Sequence, residues 1–74
     1  MNPQALIREH YLRGGWLTVG VAHHLYGTHD LRRVNSRLNK EFRPEKEIRG
    51  RFEEGKPFKT YRLWPIDQLK AMEE

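Results

Sequence analysis

Residues 28–41, THDLRRVNSRLNKE, decide the fold that this sequence predicts. Thr28 is a good N-cap residue, because its hydroxyl can accept a hydrogen bond from a free backbone N–H of the first turn. Leu31, Val34 and Leu38 then follow at helical spacing and form one narrow apolar stripe. The segment therefore predicts an amphipathic helix with one side turned toward a core.

The opposite side of this helix is basic and polar. At about 100° per residue it collects His29, Arg32, Arg33, Ser36 and Lys40, and it is flanked by Arg37 and Asn39. Arginine pairs bidentately with guanine, asparagine pairs with adenine, and serine contacts bases or phosphates. Such a face suits a DNA groove, but charge runs usually only keep a surface helix solvated. The helix alone leaves both interpretations open.

Length and composition predict one small domain over residues 1–74. The chain is long enough for a single modest core. It has no cysteine, which excludes disulfides and cysteine-bound zinc and fits a reducing compartment. No apolar run approaches the ~20 residues of a membrane span, and the N-terminus has no hydrophobic targeting segment. We expect a cytoplasmic protein without a membrane partner.

The net charge of +4 is unevenly distributed. Residues 28–64 contain eleven Lys and Arg against six Asp and Glu, a net of +5, whereas the remaining residues have three against four. The positive charge therefore lies on the helix at 28–41 and on the segment after it. A basic surface attracts polyphosphates and raises their association rate. An acidic protein partner would satisfy the same surface.

The residues before position 28 predict two further helices. Asn2-Pro3 is typical of a helix start, and Gly14-Gly15 ends a first helix over about 3–13. Trp16-Leu17 forms a short apolar connector or strand. Thr18 caps a second helix over about 19–26, and Gly27 suits the left-handed residue that follows a helix. Helices two and three then form a helix-turn-helix unit, and the inward residues expected on helix two are Val19, Ala22 and Leu25.

The pattern changes to strand alternation after Arg43-Pro44, which ends the third helix. Residues 46–52 place Ile48, Gly50 and Phe52 on one face, and residues 58–64 place Tyr61 and Leu63 inward. The Gly-containing loop between the two runs predicts a hairpin.

The outer face of this hairpin is also informative. Pairing of Ile48 with Leu63 would set Arg49 opposite Arg62. Such like charges suggest that an anion lies between them when the protein is in use.

Residues 65–72 predict a last short helix with Ile66, Leu69 and Met72 on its apolar side. The fold class is α+β, a winged helix-turn-helix of three helices, a β-hairpin wing and a short final helix. Its core covers about 3–64, and 65–74 form the helix and tail.

Over about residues 4–64 the sequence resembles the short winged helix-turn-helix domains of phage and prophage proteins. The resemblance is carried by Leu6-Ile7, Gly14, Leu17-Thr18, Ala22, Tyr26-Gly27, Leu31, Val34, Arg37-Leu38, Ile48, Gly55 and Tyr61-Arg62-Leu63. It implies duplex DNA binding, with the third helix in the major groove and the wing on the backbone or the minor groove. The third-helix positions that it carries over are Arg32, Arg33, Ser36, Arg37 and Lys40.

The sequence departs from this group at two points. The third helix leaves through Phe42-Arg43-Pro44, where a glycine is common. The wing tip carries Glu53-Glu54, which repel phosphate, although Lys56 and Lys59 favour contact. A wing turned toward a protein partner is the alternative.

Metal binding and catalysis find little support in the sequence. His23 and His24 are adjacent on a helix and point about 100° apart, and no thiol or carboxylate completes a ligand set with them. Ser36 has no neighbouring base, and no glycine-rich loop follows a strand. We expect no metal, no cofactor and no enzymatic activity.

The aromatic residues are expected in the core, namely Tyr11, Trp16, Tyr26, Phe42, Phe52, Tyr61 and Trp64, with Phe58 as the exception.

The predicted function is duplex DNA binding by a small phage or prophage regulator. We expect Arg32, Arg33 and Ser36 at base edges and Arg37, Lys40, Arg49 and Arg51 at phosphates. The full predicted DNA-binding set is Thr28, His29, Arg32, Arg33, Ser36, Arg37, Lys40, Arg49, Arg51, Lys56 and Lys59.

Other partners stay open at this point. A homodimer would fit an operator with two half-sites, with the last helix either as the dimer contact or as a cap on the core. The alternative function is a protein-binding winged helix that acts as an inhibitor or adaptor on a host protein. RNA binding ranks lower, because no aromatic platform for single strands is evident.

Overall fold

Six elements follow one another in the computed structural model, which describes residues 2–73, with side chains up to residue 71. They are α1 (Pro3–Leu12), α2 (Val19–Tyr26), α3 (Leu31–Phe42), β1 (Lys46–Phe52), β2 (Lys59–Pro65) and α4 (Ile66–Glu73). The architecture is α+β, with an antiparallel hairpin after three helices, and this layout fits a winged-helix-like arrangement. Among these residues no helix is both long and apolar enough to cross a membrane.

The caps predicted for the first two helices are confirmed. The side chain of Asn2 accepts from the backbone N–H of Ala5 at 2.8 Å, and Pro3 begins α1. Thr18 caps α2 by accepting from the N–H of Val21 at 3.0 Å. Gly27 has φ +71°, a left-handed conformation that side-chain-bearing residues rarely adopt, and the chain turns there toward α3.

The predicted start of α3 at Thr28 is wrong. The helix begins at Leu31, and its N-cap is Asp30, whose carboxylate accepts from the N–H of Arg33 at 3.1 Å. Thr28 lies in the connector instead, where its carbonyl accepts from Nδ1 of His23 at 3.3 Å. Aspartate caps helices at least as well as threonine. Asp30 directly precedes Leu31, the first residue of the apolar stripe, and it therefore caps the helix in place of Thr28. At the other end α3 extends to Phe42.

The predicted strand register is confirmed, with Ile48 opposite Leu63 and Arg49 opposite Arg62. A further antiparallel bridge joins Leu17 to Tyr61, through N–H···O bonds of 2.9 and 2.7 Å. The connector between α1 and α2 therefore adds a one-residue third strand to β2. This bridge fixes the base of α2 against the hairpin.

The core lies between the three helices and the inner face of the hairpin. Its buried members are Ile7, Tyr11, Leu17, Ala22, Leu31, Leu38 and Ile48. Tyr26, Phe42 and Tyr61 pack against this cluster, as expected, whereas Trp64 is half-buried outside it. Leu69 of α4 is buried, Ile66 is half-buried, and the side chain of Met72 lies outside the described residues.

Four apolar residues that the sequence places inward are exposed: Trp16, Val19, Leu25 and Phe52. Helix α2 is short and turns Ala22 into the core, which leaves Val19 and Leu25 at the surface. Phe52 stands at the far end of β1, where the hairpin extends past the buried cluster. Phe58 is exposed, as predicted.

Candidate nucleic-acid interface

Helix α3 is held on two sides, and these contacts define which of its faces is free. On one side, Nε of Arg8 in α1 donates to Glu41 at 2.8 Å. On the other side, Asn39 binds the backbone of Ile48 in β1, accepting from its N–H at 2.7 Å and donating to its carbonyl at 3.4 Å. Leu31 and Leu38 point into the core.

The face between these two contacts is polar and exposed. It carries Arg33, Ser36, Arg37 and Lys40, which lie within two turns of one another along the helix. Arg32 borders this face on the side nearest the wing, where it lines a groove with residues of α2 and the hairpin. Five of the predicted DNA-binding residues therefore share one surface of α3.

The cations on this face form no ion pair within the described part of the chain. Within residues 2–73, no ion pair includes Arg32, Arg33, Arg37 or Lys40. Other cations do pair with glutamates: Arg8 with Glu41, Arg43 and Arg49 with Glu47, and Lys56 with Glu53. Among the described residues, the charged groups of Arg32, Arg33, Arg37 and Lys40 are therefore left without an ion-pair partner.

Two predicted residues lie in the α2–α3 turn and not on the helix. The ring of His29 is exposed and lies 4.8 Å from the ring of His23, measured between centroids. Thr28 is half-buried and engaged through its carbonyl. This turn adjoins the N-terminus of α3, so both residues border the exposed face.

The hairpin carries the other predicted cations, and Glu47 engages one of them. The carboxylate of Glu47 accepts from Nε of Arg43 at 3.0 Å and from Arg49 at 3.1 Å. The hydrogen bonds from Arg43, and secondarily from Arg49, hold the pKa of Glu47 below its usual value against the opposing effect of burial. Glu47 is therefore an internal anionic partner of Arg49, and the anion expected between Arg49 and Arg62 stays a prediction. Arg51 lies two residues farther along the same outer face.

Near the wing tip the lysines contact wing residues. Lys56 pairs with Glu53 at 3.2 Å, and Nζ of Lys59 lies 5.4 Å from the centroid of the Phe52 ring. The predicted set is thus divided between the α3 face, the adjoining turn and the hairpin.

Asn39 and Asn35 are the polar residues of α3 whose roles the sequence does not reveal. Asn39 was expected beside the basic face, yet its amide is used to join α3 to β1. Asn35 is buried and accepts a hydrogen bond from Tyr11. An asparagine that binds a backbone or a buried hydroxyl has no sequence signal that separates it from one that contacts a base.

The histidines do not assemble a metal site in the described part of the chain, where no group of three potential ligands occurs. His10 uses both ring nitrogens internally, since Nδ1 lies 2.7 Å from the Tyr26 hydroxyl and Nε2 lies 2.9 Å from the Trp16 carbonyl. With a proton on Nε2, the ring donates to the carbonyl and accepts from the hydroxyl. His10 thus joins α1 to α2 and to the connector.

No family model matches the sequence, and no curated protein or solved structure matches the chain. The function is therefore inferred from the surface of the protein itself.

Proposed function

We propose that this protein binds duplex DNA as a winged helix-turn-helix protein, with α3 in the major groove. The observation that carries the proposal is the row of cations on the exposed face of α3, none of which forms an ion pair within residues 2–73. Phosphates are the abundant anions that would neutralise such a row, and their counterion release drives association. The resemblance to phage and prophage domains extends the proposal to a small regulator.

The dimensions of the α3 face support this docking. Arg33 and Lys40 are seven residues apart, which on a helix corresponds to about 10 Å. Laid along a major groove, which admits an α-helix, a row of this length spans about three base pairs. A helix held by α1 on one side and β1 on the other presents these side chains with little reorganisation.

Within this docking the residues take different roles. Arg33 and Ser36, with Arg32 at the border, are proposed at base edges, where bidentate and single hydrogen bonds discriminate between bases. Arg37 and Lys40 are proposed at phosphates, together with Arg49 and Arg51 on the hairpin. The homodimer required by a two-half-site operator would double this surface.

The proposal is tested by removing two α3 cations and comparing a variant of equal charge. Arg33→Ala with Arg37→Ala should weaken binding to a random-sequence 20-base-pair duplex at ~50 mM salt by about tenfold or more. Arg13→Ala with Lys70→Ala removes the same charge from exposed positions at the end of α1 and on α4, and should have a much smaller effect. Fluorescence anisotropy of a labelled duplex measures both.

Two outcomes would contradict this assignment. Equal losses in the two double variants would show that only net charge matters, and absence of any binding at ~50 mM salt would exclude duplex DNA as the partner. Selection from a random duplex pool at two salt concentrations then distinguishes a sequence-specific reader from a non-specific binder.

A protein-binding function is the second candidate, and the exposed aromatic residues near the wing favour it. Trp16, Phe52 and Phe58 are all exposed there, and Glu53-Glu54 at the tip would repel phosphate. Contiguous exposed apolar surface often marks a protein-interaction site. A chain that used only this surface would fail to bind the duplex while still binding a protein.

A further inference from the structure

A groove of about 490 Å³ lies between the first turn of α2 and the distal half of the hairpin. The bridge between Leu17 and Tyr61 positions its two walls, because it holds the chain just before α2 beside β2. We call this feature the wing groove and define it by six of its lining residues, namely Val19, Arg32, Phe52, Pro57, Phe58 and Lys59.

The apolar side chains of the wing groove are open to solvent. Phe52 is 67% exposed, and Val19 and Phe58 are each 45% exposed. Trp16, which is 44% exposed, continues this surface, because Nζ of Lys56 lies 6.0 Å from the ring centroids of both Trp16 and Phe58. Contiguous exposed apolar surface marks interaction sites, and buried aromatic side chains are frequent anchors of protein contacts.

The charged residues that line the wing groove are all cations. Among the described residues, Arg32 and Lys59 line it and no aspartate or glutamate does. Neither of these two cations forms an ion pair in that part of the chain. Glu53 pairs instead with Lys56 at 3.2 Å and lines a separate, smaller depression. The charge at the wing groove is therefore complementary to an acidic partner.

We propose that the wing groove binds an acidic segment of another protein that also carries leucine or aromatic side chains. The apolar side chains of the segment pack on Phe52 and Phe58, and its carboxylates pair with Lys59 and Arg32. The apolar contacts anchor the segment, and the cations select for its negative charge. This binding gives the protein-binding candidate its partner chemistry.

Arg32 belongs to two surfaces, because it lines the wing groove and borders the exposed face of α3. Its guanidinium cannot pair with a carboxylate in the groove and contact a base in DNA at the same time. The bound segment should therefore lower the affinity for duplex DNA, and the duplex should lower the affinity for the segment by the same factor. This coupling rests on the proposed binding of duplex DNA, whereas binding of the segment does not.

Single-stranded nucleic acid also combines negative charge with rings, but the wing groove suits it less well. Nζ of Lys59 lies 5.4 Å from the centroid of the Phe52 ring, and Nζ of Lys56 lies 6.0 Å from that of Phe58. Both rings on which bases would stack therefore already have an ammonium neighbour. Aliphatic side chains, which offer no flat ring, also line the groove, namely Val19, Val21 and Pro57.

Selection from a ribosome-displayed library of random peptides of about 12 residues tests the partner chemistry without DNA. Peptides that bind the unmodified chain should be enriched in aspartate and glutamate and should carry leucine, phenylalanine or tryptophan. Selection on Lys59→Glu should shift the enrichment toward lysine and arginine, because the charge of the groove is then reversed. Lys70→Glu is the matched control, since it makes the same change at an exposed position on α4 and should leave the acidic preference unchanged.

A synthetic copy of the most enriched peptide then locates the site. Phe52→Ser and Phe58→Ser should each raise its dissociation constant by about tenfold or more, because each removes an apolar anchor. Leu25→Ser should leave the constant unchanged, since Leu25 is 55% exposed but lies outside the wing groove. In nuclear magnetic resonance spectra the peptide should shift backbone signals of the wing groove and leave those of Arg37 and Lys40 in place.

Competition separates this inference from the proposed DNA function. Saturating peptide should raise the dissociation constant of a labelled 20-base-pair duplex by about fivefold or more. If the unmodified chain binds no duplex, the DNA proposal fails, and the peptide measurements decide the wing groove alone.

A library that yields no binding peptide, or peptides without an acidic preference, would overturn the proposal. Signal shifts confined to Arg37 and Lys40 would also overturn it, as would an affinity that survives both Phe52→Ser and Phe58→Ser. An oligothymidine of about 12 nucleotides that binds the wing groove more tightly than the peptide would overturn it in favour of single-stranded nucleic acid. Simultaneous binding of peptide and duplex with unchanged affinities would overturn the shared role of Arg32.

Discussion

The hydroxyl of Tyr11 donates a hydrogen bond to Oδ1 of Asn35 at 2.8 Å inside the core. This bond joins α1 to α3, and both side chains are buried. Burial raises the pKa of the Tyr11 hydroxyl far above its usual value, although the bond to Asn35 acts in the opposite direction, so the hydroxyl keeps its proton and serves as a donor. Nδ2 of Asn35 has no hydrogen-bond partner among residues 2–73. Of the two polar atoms in the Asn35 side chain, Oδ1 is therefore the one that is hydrogen-bonded within these residues, and its donor is Tyr11.

Removal of the Tyr11 hydroxyl should destabilise the fold. Tyr11→Phe leaves both polar atoms of the Asn35 amide buried without partners, which should lower the free energy of unfolding by about 1–3 kcal/mol. Urea denaturation measures this loss. Adding Asn35→Leu to Tyr11→Phe should recover part of it, because no buried amide then remains. A neutral effect of Tyr11→Phe would show that the bond makes no net contribution.

Protonation of Glu47 should weaken the base of the hairpin in acid. The hydrogen bond from Arg43, followed by that from Arg49, lowers the pKa of Glu47 in the folded chain below its usual value of about 4.3. A lowered folded pKa adds stability above the unfolded pKa, and this stability is lost as pH falls through the folded pKa.

The measurement compares the unmodified chain with Glu47→Gln. The difference in their free energies of unfolding should be largest near neutral pH and should shrink as pH falls below about 4. A difference that stays constant down to acid pH would contradict the assigned ion pairs.

Gly50 should tolerate no side chain without rearrangement. Its residue pair with Tyr61 does not exchange backbone hydrogen bonds, because the N–H and C=O of Tyr61 bind Leu17, and side chains in such pairs lie close together. A Cβ on Gly50 would lie 2.6 Å from Cε1 of the Tyr61 ring. Gly50→Ala should therefore cost about 1–3 kcal/mol in thermal or urea unfolding.

Gly20 in α2 provides the opposite control. A Cβ there would meet only Oγ1 of Thr18 at 4.0 Å. Gly20→Ala should stabilise the chain by about 0.4–1 kcal/mol through lower entropy of the unfolded state. Equal effects of the two substitutions would contradict the close approach of Tyr61 to Gly50.

Ala22 should resist enlargement. It is fully buried in the core cluster between α2 and its neighbours. Ala22→Leu should overpack this contact and cost about 1–3 kcal/mol, measured by urea denaturation. Leu25→Ala on the exposed side of the same helix should change the free energy of unfolding by less than about 0.5 kcal/mol. A neutral Ala22→Leu would mean that the helices can separate without cost.

The elements with local signals were predictable from the sequence. Asn2 and Thr18 mark helix starts through their capping side chains, and Gly27 marks a helix end through its left-handed backbone. Strand alternation placed Ile48 and Leu63 on the same face of the hairpin, where they pair. The start of α3 was misplaced because Thr28 and Asp30 are both good caps, and the choice between them depends on the geometry of the turn.

The burial of several residues could not be predicted from periodicity. Phe52 has the parity of an inward residue, but the core ends before it. Asn35 lies inward because a tyrosine on another helix reaches it. The sequence correctly placed four residues of the candidate DNA face on the solvent side of α3, namely Arg33, Ser36, Arg37 and Lys40. An apolar stripe shows which side of a helix faces the core, and it thereby shows which side faces solvent.

The contacts of Asn39 and Leu17 have a consequence for aggregation. Asn39 occupies the backbone groups of Ile48 on the outer edge of β1, and Leu17 occupies those of Tyr61 on the outer edge of β2. Unprotected strand edges recruit strands from other molecules and lead toward fibrils. A foreign strand would have to displace the amide of Asn39 on one edge or the connector at Leu17 on the other. Both edges of this two-stranded sheet are therefore blocked near their middle, which protects a very small β-sheet against open-ended polymerisation.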